Sequence, residues 1–348
     1  IKNLRKEKYI SIEPVEKREY YGLSSAQKRL YFLQAMELRS TAYNIPMTLS
    51  LEGEINSRAM ENTFRQSIKR HESLRTSFRM VKDTPVQVIH EEVEFKIEYY
   101  NLVRVIHEKA ELEIENDRSK DEGRWSLENC QGRGEVPSPI RIEKIIGNFI
   151  RPFELSSAPL LRVGLIKEAD EKHILMVDQH HIVSDGVSRE ILLRDFREIN
   201  AGGEIPPLRI RYKDYSEWQN SDKEKKNLKR REEYWIKEYE GEIPVLEIPA
   251  DNPRPVIRSF EGDSEEFEMT ETETRGIKAM ALETGNTLYM VLAAAVNVLL
   301  SKLSGQEEII IGTPAAGRRH ENLEQVIGMF VNTLVLRNYP AGERIFSE

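Results

Sequence analysis

Asp178-Gln179-His180-His181-Ile182-Val183-Ser184-Asp185-Gly186 is the stretch on which the reading of this chain turns. Two apolar runs precede it, Leu161 to Ile166 and Ile174 to Val177, both of strand length. Val187, Ile191, Leu192, Phe196 and Ile199 follow at helical spacing. Strand, polar turn and helix in this order project side chains from a rigid frame. Adjacent histidines point in different directions from a strand or turn, so they do not chelate one metal, and no Cys or acidic cluster stands beside them. Imidazole chemistry is the alternative, because an unperturbed pKa of about 6.5 suits proton transfer near neutrality. One ring would then do chemistry and the other would pack. Asp185 could orient the imidazole directly, or pair with an arginine and stiffen the turn, while Gly186 permits a tight exit and lets a backbone amide approach a substrate. The competing reading is two core histidines before an ordinary Asp-Gly turn.

Upstream, Ser24 or Ser25 caps a helix through Leu30, Leu33 and Met36, and Met60, Phe64 and Ile68 share the face of a second helix. Alternation from Leu74 to Met80 predicts a strand, with two more at Val86 to Ile89 and Phe95 to Tyr99. Residues 107–139 break into charges, glycines and prolines around Trp125 and Cys130, and read as a mobile insertion. Ile142, Ile145, Ile146 and Phe149 restore a helical period. Downstream, Gly202-Gly203 and Pro206-Pro207 mark a lobe boundary. Tyr212 to Tyr239 is helical, and its alternating charges from Asp222 to Glu233 form a solvated face. A strand near Ser264 to Met269, two helices, and strands at Ile309 to Ile311 and Asn332 to Arg337 complete a mixed α/β order. The apolar stretch Leu288 to Leu303 is too short and interrupted to span a membrane, so it reads as a buried helix with Thr287 at its N-cap and Gly305 at its stop.

Composition narrows the function. The 348 residues carry 51 Lys and Arg against 59 Asp and Glu, a formal net charge of −8, with no basic footprint for nucleic acid. With 11 Phe, 13 Tyr and 3 Trp the chain is not disordered throughout, and its length suits two lobes. A single cysteine, Cys130, excludes an intramolecular disulfide and fits a reducing, cytoplasmic setting. His71-Glu72-Ser73-Leu74-Arg75 lacks the second histidine of a zincin helix. Gly312-Thr313-Pro314-Ala315-Ala316-Gly317-Arg318-Arg319 lacks the lysine and hydroxyl of a P-loop, and Pro314 removes an amide that should cradle phosphate. The opening at Ile1 with a polar stretch behind it reads as a cut from a longer polypeptide.

The histidine stretch matches the HHxxxDG signature of nonribosomal peptide synthetase condensation domains, members of the chloramphenicol acetyltransferase-like superfamily. Four further blocks stand in that family's order. Ser24 to Leu33 resembles its opening motif and Arg70 to Phe78 its second. Tyr212-Lys213-Asp214-Tyr215-Ser216-Glu217-Trp218 and Ile327-Gly328-Met329-Phe330-Val331-Asn332-Thr333 resemble the two that follow the histidines.

The resemblance implies a two-lobed V of mixed α/β sheets. Residues 1–20 are then an interdomain linker, 21–203 the N-terminal lobe, and 204–348 a C-terminal lobe that is incomplete because the family's last two motifs have no counterpart. His181 would be the catalytic histidine and His180 a supporting one, with Gly186 offering its backbone near the reacting thioester. Asp185 would pair with Arg75 as structural support, and Asn332 and Ser24 would line the substrate tunnel, although a cap for Ser24 and a strand start for Asn332 remain open. No cofactor is bound directly, since substrates arrive on phosphopantetheine arms. The implied partners are an upstream donor and a downstream acceptor peptidyl carrier domain and an adjacent adenylation domain, with no nucleic acid and no membrane. The implied reaction is amide formation between two carrier-bound thioesters, in the subtype joining L-configured residues. An epimerisation domain of the same family and a non-catalytic platform recruiting a partner enzyme are the alternatives.

Overall fold

The computed structural model describes residues 11–102, 139–253, 256 and 262–343. The supposed insertion, with Trp125 and Cys130, falls outside them save for Pro139. The chain forms two compact units, one of residues 1–229 with 316–331, the other of 230–315 with 332–348. Residues 204–229 therefore pack with the first unit, beyond the Gly202-Gly203 boundary read from sequence.

The first unit is built on a four-stranded sheet in the order β2 (Asn44–Glu52), β7 (Lys172–His180), β6 (Leu161–Ala169), β5 (Glu98–Asn101). All neighbours are antiparallel except β5, which runs parallel to β6. Both faces of β6 and β7 are covered, which is why they read as unbroken apolar runs. On one face Val163, Leu165, Leu175 and Val177 meet helix α2 (Ser57–Arg70) through Phe64 and Ile68, and α4 (Gly186–Asn200) through Ile191 and Leu192. On the other, Ile166 and Met176 meet Ile145 and Phe149 of α3 (Pro139–Phe149). A smaller sheet orders β1 (Tyr21–Gly22), β4 (Thr84–Ile89) and β3 (Thr76–Val81).

A second core joins α1 (Ser25–Met36) to α5 (Tyr212–Gln219) and to the returning segment 316–331. It contains Leu23, Leu30, Phe78, Ile182, Val183, Tyr212 and Phe330. Ile12 is fully buried in that core, and the Val15 amide donates to Asp214, so residues 11–20 are part of the packed unit rather than a free linker. Trp218 packs against the ring of Tyr215. Tyr234 and Trp235 on α6 (Asp222–Glu238) are exposed, because that helix carries its polar residues on nearly every face.

The second unit holds α7 (Glu271–Glu283), α8 (Leu288–Ser304) and a hairpin of β8 (Ile309–Ala315) with β9 (Asn332–Asn338). Thr287 caps α8 and Gly305 ends it in the left-handed region at φ 71°, as the sequence predicts. The expectation that α8 is buried fails. Only Val291 and Asn297 are buried, while Leu292, Val296, Leu299 and Leu303 are exposed. Its packing partners, α7 and β8, cover too little of a helix that is apolar all round. Residues 264–269 form no strand. Among the described residues no single helix is long and apolar enough to cross a membrane; α7 and α8 together have the length and composition but are bent by 108°.

Candidate active site

Strand β7 ends at His180, and the chain then turns through one short 3-10 turn, His181–Val183, into α4. Ile182 and Val183 are fully buried in the second core, which pins the turn and leaves His181 half-buried at its outer side. The His181 amide donates to the Tyr43 carbonyl at 2.8 Å. Its Nδ1 lies 2.9 Å from the Ser184 carbonyl. A carbonyl only accepts, so Nδ1 carries a proton, and in the neutral ring the lone pair stands on Nε2. A neutral imidazole with a basic Nε2 is what a general base needs.

His180 is its opposite. The ring is 0% exposed, edge-on to Phe153 and tilted against Tyr43. Its Nδ1 accepts from the Ile182 amide at 3.1 Å. Burial, reinforced by the charges of His181 and Arg162, pushes its pKa down to about 3. Such a ring cannot exchange protons with a substrate, so its place is that of a strut beneath the turn.

Asp185 caps α4 by accepting from the Ser188 amide at 2.8 Å. Its carboxylate is buried and receives a bidentate pair from Arg318, at 2.8 Å to Oδ2 and 3.0 Å to Oδ1, together with the Phe330 amide at 3.1 Å. Burial pushes this carboxyl up, but the hydrogen bonds and charge of Arg318 outweigh it and hold the group below the usual carboxylate range. The arginine partner of Asp185 is therefore Arg318, not Arg75. Arg75 ends a 3-10 turn, Glu72–Arg75, where it bonds the His90 carbonyl and lies 3.6 Å from Glu72. Arg318 reaches Asp185 because the segment 316–331 folds back over the start of α4. Ser188 fastens it there, donating to the Gly328 carbonyl and accepting from the Gly328 amide at 3.0 Å.

Gly186 opens α4 and is exposed. A Cβ added to it would meet nothing within 4 Å, so no contact among the described residues demands a glycine. The amides of Gly186 and Val187 lie in the first helical turn, where they have no intrahelical acceptor and face outward at the positive end of the helix.

Ser24 is not open to a tunnel. It is 0% exposed, its hydroxyl caps α1 by accepting from the Gln27 amide, and it lies 2.7 Å from the Tyr212 hydroxyl. Tyr212 in turn donates to the Met329 carbonyl at 2.5 Å, so the hydroxyl of Ser24 closes a buried chain. Asn332 is an exposed residue at the start of β9, in the second unit. His71 is buried with Nε2 at 2.9 Å from Asp195, a packing contact rather than a metal ligand. No group of three His, Cys, Asp or Glu residues that could hold a metal occurs among the described residues. Two contributors escaped the sequence reading. Arg318 stood in a stretch weighed only as a P-loop, and Gln34 carried no motif beyond its helical spacing.

The family model of the condensation domain matches residues 17–348. Gramicidin S synthase 2 of Brevibacillus brevis is 43% identical over 340 residues, 98% of this chain and 7% of that protein. Bacitracin synthase 3 of Bacillus licheniformis is 42% identical over 348 residues, 100% of this chain and 5% of that protein. The chain thus spans a small part of the relatives it matches. Among solved structures, the first condensation domain of the CDA synthetase superposes with a TM-score of 0.68 at 17% identity, covering 94% of this chain and 72% of that one. That likeness shows the chloramphenicol acetyltransferase-like fold. With the family model matched from residue 17 to the last residue and the HHxxxDG turn standing where β7 meets α4, this chain belongs to the condensation-domain family of nonribosomal peptide synthetases.

Proposed function

We propose that this chain forms an amide bond between a donor peptidyl or aminoacyl thioester and the amine of an acceptor aminoacyl thioester. Both substrates arrive on phosphopantetheine arms of carrier domains, an upstream donor and a downstream acceptor, and the residues joined are L-configured. An adenylation domain beside the acceptor carrier would load it. The observation that supports the reading is the tautomer of His181, set by the Ser184 carbonyl at Nδ1, on the turn that leads directly into α4.

The acceptor nitrogen attacks the thioester carbonyl carbon and gives a zwitterionic tetrahedral intermediate. An α-amine of pKa near 8 is already about 10% neutral at pH 7, so activating the nucleophile needs little help. The harder task is to remove the ammonium proton. Nε2 of His181 takes it and returns it to the departing thiolate as the C–S bond breaks, leaving an amide and a free carrier thiol. The Gly186 and Val187 amides face the developing oxyanion, and placing two tethered reactants together supplies the rest.

Single-turnover amide formation with preloaded carriers, in the full polypeptide that contains this chain, tests the assignment. His181→Ala should slow the step by about 10²- to 10⁴-fold. An unchanged rate sinks the base role. Inversion of the donor residue without any acceptor would replace condensation by epimerisation, and no turnover of either kind would favour a recruiting platform.

A further inference from the structure

The two adjacent histidines are locked in opposite tautomers, and the residue that locks the inner one is Gln34, which lies 146 positions from it on α1. Gln34 is buried, and its Nε2 donates to three backbone carbonyls, Glu37 at 3.3 Å, Leu38 at 3.4 Å and Ser40 at 3.3 Å. Carbonyls accept only, so the amide nitrogen must face them, and Oε1 must face His180 Nε2, 3.3 Å away. On the other side of the ring, Nδ1 accepts from the Ile182 amide and cannot hold a proton while that bond stands. His180 is therefore the Nε2–H tautomer, fixed at both nitrogens.

We propose that Gln34 is a positioning residue that acts through His180: it fixes that ring in place as the Nε2–H tautomer without bringing a negative charge to it, so that His181 can take up a proton beside an uncharged neighbour on a fixed turn. The inference rests on the reaction proposed above. A proton on Nδ1 of His180 would break the bond to Ile182 and would also set a like charge next to an imidazolium at His181, making His181 a weaker base. Among the described residues the other titratable or charged groups near His180 are Tyr43, whose ring tilts against it, Arg162 on β6, which opposes protonation, and Asp178 two residues back on the same face of β7. Gln34 supplies an acceptor without a charge. A glutamate of the same length would supply both.

Gln34→Glu and Gln34→Met in the full polypeptide separate positioning from bulk stability. Protonation of His180 is read from hydrogen–deuterium exchange at its imidazole C2, followed by tandem mass spectrometry, and the rate is read from single-turnover amide formation at pH 6 and pH 8. In the parent chain His180 should show no titration between those values. In Gln34→Glu its titration should rise by about 1 to 3 pH units, to about pH 6 at most, and the rate relative to the parent should be up to about twofold lower at pH 6 than at pH 8. Gln34→Met should lose rate equally at both values, with no new titration. A Gln34→Glu to parent ratio that is independent of pH with His180 exchange unmoved overturns the proposal. So does a Gln34→Met chain with parental rate, should the glutamate variant not fold. Raised His180 protonation in a protein whose parent forms no amide would leave the hold of Gln34 on His180 intact and reject the reaction instead.

Discussion

Removing either member of the Asp185–Arg318 pair leaves a buried charge alone, and that cost decides what the pair is for. Both side chains are almost fully enclosed, at 1% and 5% exposed, and share two parallel hydrogen bonds. Arg318→Met should cost about 3–5 kcal/mol in urea unfolding, and the double variant with Asp185→Asn should cost less than the sum of the two singles. Because the folded carboxyl lies below its ordinary value, its contribution is fully present above about pH 4 and is lost as pH falls through the folded value. A stable Asp185→Asn chain with only a kinetic defect would assign Asp185 to the chemistry instead. At this scale the turn itself was legible, since His180, His181, Asp185 and Gly186 are contiguous and their order on a strand–turn–helix frame follows from local pattern. Arg318 was not, because it lies 133 positions from Asp185 and nothing local to either residue encodes the meeting. Arg75 was the wrong partner for the same reason, as the motif carrying it is closed off by its own neighbours Glu72 and His90.

The loop that delivers Arg318 depends on one backbone position. Gly317 has φ +71°, and a Cβ there would lie 2.1 Å from the Phe330 carbonyl oxygen. Gly202, after α4 in the same unit, has φ +81° but open space around it. Gly202→Ala should therefore cost only the left-handed penalty of about 1–2 kcal/mol, while Gly317→Ala adds a backbone clash and should cost clearly more in the same urea titration. Equal losses would mean that the loop relaxes freely. Elements were legible where both faces or one clean face are buried, as in β6, β7, α2 and α4. Strand β2 was missed although Met47, Leu49 and Leu51 alternate, because Pro46 argues against a central strand; β2 lies at the sheet edge, where proline is tolerated. The stretch near Ser264 to Met269 has the alternation without a sheet to join, and α8 has the hydrophobicity without enough neighbours to cover it. Periodicity reports what a segment could bury, and the rest of the molecule decides whether it does.

For the molecule as a whole, the acidic composition says little about stability, because the groups that matter are the few that change protonation on folding. Two of them sit on one face of β7. His180 has its folded pKa pushed down by burial to about 3, so between that value and 6.5 the unfolded chain holds a proton the folded one lacks, and stability rises with pH. Asp178 runs the other way. Burial, only partly offset by Arg162 and Asn44, pushes its folded pKa up to about 6 from the ordinary 3.8. Across roughly pH 4 to 6 the folded chain keeps a proton that the unfolded chain has lost, and stability falls as pH rises. In this window the two slopes oppose and largely cancel, which hides both in the parent protein. Asp178→Asn removes one of them. Whatever its fixed cost in lost contacts to Arg162, the stability of Asp178→Asn relative to the parent should climb with pH by about 1.4 kcal/mol per unit between pH 4 and 6, then level off above 6. Urea midpoints of both proteins at half-unit steps would show it. A difference that stays flat through this range would mean that Asp178 ionises as it does in the unfolded chain, and that the polar end of β7 is wetter than its burial implies.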